Sequence, residues 1–390
     1  MRVIYISNVL NGHTKPICDS LYDYYGDDFI FISTKNWDDE NLKGGKIENY
    51  RDLPYVFSVA NSKKRQRIAV KLCTKADILI QQAASDRYII KRILLNKVTI
   101  RISERILKGS KFDLLKQIKY FFRNILLRNK NVYLLAAGAY VAYDMHKCFS
   151  SFKKIYKWGY FPSTIPLTKE SNYKADENVI NFLWVGRFIE WKHPEICLEI
   201  ARILETKNVN YRISMVGDGK LLKNIESQIN ENDFSNKIKL YGKVSNDRTQ
   251  ELMRRSDIFI FSSDRGEGWG AVLNEAMGNY CIPLANNEAG SVPFLIEQNK
   301  NGYIYRNNDL ESLKIALDNI LSNKNEFNSI KNAARKKING KWSPQNASKE
   351  LINLMNYLFQ NNHSHNFYVE SGPCSLASIF NEEDFFDNIK

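Results

Sequence analysis

Residues 264–277 read DRGEGWGAVLNEAM and place two carboxylates, Glu267 and Glu275, eight positions apart across a knot of glycines. Gly266, Gly268 and Gly270 surround Glu267 and Trp269, and AVLNEAM then reads as a helix. Glycines let a backbone approach a ligand closely. A helix that begins near Gly270 turns its free N–H groups and positive dipole end towards the loop, which suits a phosphate. Carboxylates accept well from sugar hydroxyls. The spacing lets Glu267 meet one end of an extended ligand while Glu275 meets another part. The plainer alternative is an acid favoured by the helix dipole, with glycines that only turn the chain.

A second group lies in VGRFIEWKHPE, where Gly186 ends a strand and Arg187 and Lys192 stand five apart. An arginine fork with a lysine point charge suits a diphosphate. Its plain alternative is a solvated pair of surface cations. Trp184 and Trp191 read as packing residues. Taken together, the two groups fit a nucleotide sugar. The sugar lies at Glu267, the diphosphate at Arg187, Lys192 and the helix N-terminus, and the ribose at Glu275.

Such residues need elements to position them. Strands are expected at 3–6, 29–33, 76–82, 97–103 and 132–137, with helical segments between, one of them from Pro16 to about Tyr25. The segment YFPSTIPLTKESNYKADENV (160–179) breaks the pattern and reads as a linker. Strands then resume at 180–188, 211–217, 238–242, 257–263 and 281–286, again alternating with helices, including one over 245–255. Two further helices, SLKIALDNIL and SIKNAARKKI, precede a last helix near 344–360 and a polar tail from Asn361. This alternation predicts α/β architecture with parallel sheets covered on both faces. Both candidate groups follow strands of the second half, and open α/β sheets bind ligands at the carboxyl ends of their strands. The expected organisation is a Rossmann-like domain over 1–165, a second over 166–340, and a helix with a tail over 341–390.

A chain of 390 residues is long for one core, which agrees with two domains. Its 44% hydrophobic content excludes a disordered chain. A net charge of +13 favours an anionic partner. The cysteines (Cys18, Cys73, Cys148, Cys197, Cys281, Cys374) are scattered, so free buried thiols are expected. No signal peptide is visible and no apolar run approaches the ~18 residues of a membrane span. A cytoplasmic setting is the expectation.

The run VGRFIEWKHPE … MVGDG … IKLYGKV … DIFIFSSDRGEGWGAVLNEAM … GSVPFLI … NGYIY resembles the retaining glycosyltransferases of family four. This is the large group-one family with the GT-B fold, two Rossmann-like domains facing an interdomain cleft. ISNVLNGHTKPICDSLYD, TIRISERILKG and YKWGYFP are similar to a subgroup from bacterial surface-polysaccharide clusters. The similarity covers roughly residues 1 to 360. It implies that Glu267 and Glu275 match the family's E-x7-E motif, the first meeting the donor sugar and the second the nucleotide ribose. Arg187 and Lys192 match the basic pair on the diphosphate. Gly268, Trp269, Gly270 and Ala271 match the loop whose backbone contacts sugar and phosphate. Gly217 and residues Leu240 to Lys243 match positions lining the nucleotide pocket. UDP is the base that family habit favours, and retention of anomeric configuration is implied by the family alone. Two positions depart from it. Phe294 stands where many relatives carry a glutamate. The strand that ends in a histidine in many relatives reads TIRISER here, with Arg101, Ser103 and Glu104 in that neighbourhood. His13, Arg101 and Glu104 are therefore the acceptor-side candidates.

The barrier in such a transfer is departure of the nucleotide diphosphate, and cations aimed at its developing charge lower it. Arg187, Lys192 and the helix N-terminus supply these without a metal. No DxD motif follows a strand; Asp38-Asp39-Glu40 sits in a loop-like stretch. Metal independence is expected, with no cofactor and with front-face attack by the acceptor hydroxyl.

Most of the charge excess sits in residues 86–131, with 13 Lys and Arg against three Asp and Glu. Within it, residues 113–129 place Leu114, Ile118, Phe121, Phe122, Ile125 and Leu126 at helical spacing, with Lys116, Lys119 and Arg123 on another face. KKRQR (63–67) adds a second cationic cluster. A basic amphipathic helix suits an anionic membrane surface, and equally a core-packed helix with a solvated face. The membrane reading gains from a lipid-linked or oligosaccharide acceptor, and implies peripheral association with the inner face of the cell membrane. Three rivals remain: a nucleic-acid-binding protein, a catalytically inactive sugar-nucleotide or membrane scaffold of the same fold, and an epimerase of GT-B fold. No nucleic-acid recognition motif is present, the binding residues are intact, and the first half offers only Glu104 as an epimerase acid.

Overall fold

The computed structural model describes residues 1–36, 50–109, 114, 117, 118, 120, 121, 127–163, 178–360 and 367–389. They form two compact units. The first joins Met1–Ser163 to Lys341–Asn381, and the second joins Thr164–Gly340 to Glu382–Lys390.

The first unit holds a seven-stranded parallel sheet. Its strands are β1 (Val3–Ser7), β2 (Phe29–Ser33), β3 (Val56–Ser58), β4 (Ile78–Gln82), β5 (Thr99–Ser103), β6 (Val132–Ala137) and β7 (Ile155–Trp158). They run in the order β3-β2-β1-β4-β5-β6-β7. Every residue of β1 and β6 is buried, as a parallel strand covered on both faces requires. The helix Lys15–Tyr25 begins with Pro16 in its first turn, where the missing N–H costs nothing. The helix Pro344–Gln360 packs on it within the same unit, and Tyr25 donates to Asn356 at 3.4 Å.

The second unit repeats the scheme with six parallel strands: β8 (Ile180–Val185), β9 (Tyr211–Val216), β10 (Ile238–Leu240), β11 (Ile258–Phe261), β12 (Ile282–Asn286) and β13 (Tyr303–Tyr305). Their order is β10-β9-β8-β11-β12-β13. The helix Ile196–Thr206 buries Cys197, Leu198, Ile200, Ala201 and Leu204 in the core of this unit. In each sheet the strand order reverses once, between β1 and β4 and between β8 and β11. Open α/β sheets bind ligands in the crevice outside such a switch point.

All ten strands expected from sequence form. Three more form that the sequence reading passed over: β3, β7 and β13. Each lies at the edge of its sheet. β3 is only half-buried, and β7 alternates half-buried with buried positions, so neither carries the apolar run that marks a central strand. The outer edge of β7 is covered by the tail: Lys157 donates to Ser375 O at 2.7 Å and Cys374 to Lys157 O at 2.8 Å. The tail also forms a helix, Glu382–Asp387, that belongs to the second unit.

Two buried cations anchor the first unit. The Arg92 guanidinium donates to the carbonyls of Cys73, Ala76, Asp77 and Val98 and to the Thr99 hydroxyl. Arg105 pairs with the fully buried Asp144 at 3.2 Å, and Asp144 also accepts the Ile106 and Leu107 N–H groups. All six cysteines are buried and free. Residues 164–177 of the linker, Asp38-Asp39-Glu40 and most of 113–129 fall outside the described residues. KKRQR opens the helix Lys63–Lys75, where Ser62 caps the Arg65 N–H.

Candidate functional site

The loop after β8 and the loop after β11 flank the switch point of the second sheet, and a ladder of hydrogen bonds joins them. The buried Trp184 indole donates to Ser262 Oγ at 2.9 Å, and Ser262 donates on to the Lys192 carbonyl at 2.6 Å. The Asp264 N–H meets the Trp191 carbonyl at 3.0 Å. His193 bridges both loops, with Nδ1 2.6 Å from Glu195 and Nε2 3.1 Å from Asp264. The hydrogen bonds to Asp264 and then to Glu195 push the His193 pKa up to about 9, against a smaller opposing effect of burial. Above this ladder the Lys192 ammonium forms an ion pair with Glu267. Two residues that the sequence singled out separately therefore meet side chain to side chain.

Arg187 takes a different place. It is exposed, and its guanidinium lies over the Trp191 ring at 5.5 Å. Trp191 was expected to pack; it is 38% exposed and carries the arginine by a cation–π contact instead. Trp184 packs as expected, edge-on to Phe188 at 4.8 Å.

The glycine loop is shaped by Asp264. Its Oδ1 accepts the Gly266 N–H at 2.7 Å and its carbonyl accepts the Glu267 N–H at 3.0 Å. Gly270 then takes the left-handed conformation (φ 85°) as N-cap of the helix Ala271–Gly278. A Cβ there would sit 2.3 Å from Phe261 Cζ, so only glycine fits. Gly268 is buried. Trp269 is buried too, donates from its indole to Asn274 at 2.8 Å and lies 6.2 Å from the Phe294 ring. Phe294 thus fills apolar space beside Trp269. Ala271 opens the helix, and Glu275 lies half-buried a turn further on.

Gly217 closes the far side. Its φ is 137°, and a Cβ would fall 1.8 Å from the Gly186 carbonyl oxygen. Its N–H donates to Gly242 O at 2.9 Å, which draws the Leu240 to Lys243 stretch to the same edge of the sheet.

The acceptor-side candidates lie in the first unit. His13 stacks on Tyr160 with ring centroids 6.0 Å apart, and its Nδ1 is buried without a hydrogen-bond partner among the described residues. Burial lowers its pKa below the ordinary histidine value. Glu104 accepts from the Tyr160 hydroxyl and from Lys108, each at 2.5 Å. Burial first, and Glu104 second, hold the Tyr160 pKa well above that of an ordinary phenol. Arg101 pairs with Asp86 at 2.9 Å. His193, Asp264, Ser262 and Tyr160 were not singled out from sequence. His193 and Asp264 sit inside the quoted stretches, but their pairing across 71 residues leaves no local signal. Among the described residues, no group of three or more His, Cys, Asp or Glu side chains gathers as a metal site.

Comparison with known proteins bears on this geometry. Residues 168–337 match the family described as Glycosyl transferases group 1. That stretch is similar to group 1 glycosyl transferases. It contains Arg187, Lys192, Glu267 and Glu275. The chain is 24% identical over 184 residues to the amylovoran biosynthesis glycosyltransferase AmsK of Erwinia amylovora, covering 46% of this chain and 45% of that protein. It is 34% identical over 122 residues to the capsular polysaccharide biosynthesis glycosyltransferase CapH of Staphylococcus aureus, covering 30% and 32%. The chain thus spans less than half the length of either relative. The structure of Anabaena Alr3699/HepE in complex with UDP matches over 91% of this chain and all of that one, with a TM-score of 0.70 at 15% identity. At that identity the likeness speaks for the fold, which is GT-B: two parallel-sheet α/β domains, the second holding the stretch similar to group 1 glycosyl transferases.

Proposed function

We propose that this chain is a retaining, metal-independent glycosyltransferase. It moves a sugar from a nucleotide-diphosphate sugar, with UDP as the carrier, to a lipid-linked glycan acceptor in bacterial surface-polysaccharide synthesis. The observation that carries this reading is the meeting of Lys192 with Glu267 at the switch point of the second sheet, beside the N-terminus of the helix Ala271–Gly278. The group 1 match over the same residues supports the reaction class. The complex of Anabaena HepE with UDP supports the base, and the names of AmsK and CapH support the polysaccharide setting.

In this reading the diphosphate takes Lys192, Arg187 and the free N–H groups of the helix. The donor sugar lies against Glu267 and the backbone of Gly268 to Ala271, and the ribose against Glu275. The acceptor hydroxyl attacks the anomeric carbon from the face the diphosphate leaves. The bond from that carbon to the phosphate oxygen breaks as the bond to the acceptor oxygen forms. The acceptor proton passes to the departing diphosphate, whose charge Lys192 and Arg187 stabilise. The acceptor-side residues of this proposal are His13, whose pKa burial lowers, Glu104 and Arg101, all in the first unit.

The membrane partner rests on residues 113–129. Of their apolar face, Leu114, Ile118 and Phe121 are described, and all three are exposed, whereas the neighbouring Leu127 is buried. Phe121 lies edge-on to the exposed Phe149 at 5.8 Å. No helix among the described residues is long and apolar enough to cross a membrane.

The test is transfer from UDP-sugars to lipid-linked acceptors in the presence of EDTA, with the product linkage read by NMR. An inverted anomeric configuration, or a requirement for divalent cation, contradicts the proposal.

A further inference from the structure

His193 adopts a left-handed backbone (φ 45°, ψ 58°) at the end of the short 3-10 turn Glu190–Lys192. For a residue with a Cβ this conformation is unfavourable, and an outlier of this kind beside a binding group asks what the side chain does in return. Here both ring nitrogens are engaged by carboxylates, Glu195 on its own loop and Asp264 on the glycine loop. Asp264 in turn holds the Gly266 and Glu267 N–H groups, and its own N–H holds the Trp191 carbonyl. The ring thus stands where the loop carrying Lys192 is fastened to the loop carrying Glu267.

We propose that His193 is a positioning residue for donor binding: by bridging Glu195 and Asp264 it sets the Lys192 ammonium and the glycine loop in the geometry that receives the diphosphate. This rests on the donor site proposed above. The neutral imidazole has one N–H, so it can donate to only one of the two carboxylates, whereas the imidazolium donates to both. Other charged groups stand nearby: Arg187 lies over the Trp191 ring, and Glu288 accepts the Arg265 N–H at 3.2 Å. On the first loop, Glu190 pairs with Lys220 and Lys192 with Glu267. On the second, Arg265 pairs with Glu382. Cys197 and Tyr305, which lie near Glu195, are both raised by burial and stay neutral.

The sign follows from the direction of the shift. The folded-state pKa of about 9 lies above that of a free histidine, so the double bridge is complete at neutral pH and is lost as pH rises through about 9. Asp264 stays ionised throughout that window. Burial opposes its charge, but His193 and the Gly266 N–H together hold it below the usual aspartate value.

The experiment is calorimetric titration with UDP, from about pH 7 to about pH 10, of the full chain and three variants. His193→Gly accepts the left-handed backbone without steric cost, so a purely conformational role predicts unchanged or tighter binding. The positioning role predicts binding about tenfold or more weaker at neutral pH, the scale of one lost charge-assisted contact. It also predicts a fall in affinity near pH 9 in the parent chain that is absent from this variant, while the nucleotide's own ionisation appears in both. Glu195→Gln, at a half-exposed position that does not threaten folding, removes one partner and moves that fall to lower pH. Wild-type affinity in His193→Gly, or an unmoved pH profile in Glu195→Gln, overturns the inference. Lys192→Ala separates it from the donor-site reading. If this variant binds UDP like the parent chain, or the parent does not bind at all, the donor site falls and the inference with it.

Discussion

Lys192 and Glu267 stand 75 residues apart in sequence and share an ion pair in the fold. In the proposed donor site a diphosphate would compete for that ammonium, which sets two opposite expectations. Lys192→Ala weakens UDP by roughly 1.5–3 kcal/mol, about ten- to a hundredfold, the scale of a hydrogen bond to a charged group. Glu267→Gln releases the lysine, so UDP binds as well as before or better while sugar transfer falls, a split that binding and turnover assays read separately. Gly270→Ala forces a Cβ into Phe261 at a left-handed position and is expected to cost at least about 2 kcal/mol of stability, measurable by urea unfolding. The carboxylate and cation positions were legible because glycines, acids and bases cluster within short stretches. What holds them was not. Ser262, Asp264 and His193 act through partners on another loop, and Arg187 stands over Trp191 because an indole face and a guanidinium attract, which spacing alone does not reveal.

At the scale of elements, strand order does the positioning. β8 and β11 are neighbours in the sheet although β9 and β10 intervene in sequence, so the loops after them open on one crevice. Central strands were readable because burial on both faces demands continuous apolar runs. The edge strands β3, β7 and β13 escaped because three or four residues give too little periodicity to register. The buried cations of the first unit carry no local signal, since their partners are carbonyls and a carboxylate distant in the chain. Arg105, at the end of TIRISER, pairs with Asp144 in the core. Asp144→Ala leaves the Arg105 charge buried and two N–H groups unsatisfied, and is expected to cost about 3–5 kcal/mol in denaturant unfolding. Arg92→Met strands the four carbonyls that Arg92 gathers, with an expected loss of roughly 3 kcal/mol or more.

For the molecule as a whole, a net charge of +13, with 13 Lys and Arg against three acids in residues 86–131, makes the first half strongly cationic. If this charge serves an acidic membrane surface, the chain sediments with vesicles containing anionic lipid, stays behind with neutral ones, and is released as salt approaches about 1 M, where the Debye length falls to ~3 Å. Equal retention on neutral vesicles assigns the binding to exposed apolar residues such as Leu114, Ile118 and Phe121 instead. The division into two parallel-sheet α/β halves was legible from the strand–helix alternation. The return of the tail to both units was not, because its pairing with β7 uses backbone groups that any sequence provides. On the proposed reading the nucleotide binds where the loops after β8 and β11 meet. Hydrogen exchange read by mass spectrometry, with and without saturating UDP in EDTA, checks this. Slowed exchange is expected in the segments spanning 186–193 and 264–275, abolished in Lys192→Ala. Protection elsewhere in the chain with these two segments unchanged would contradict it.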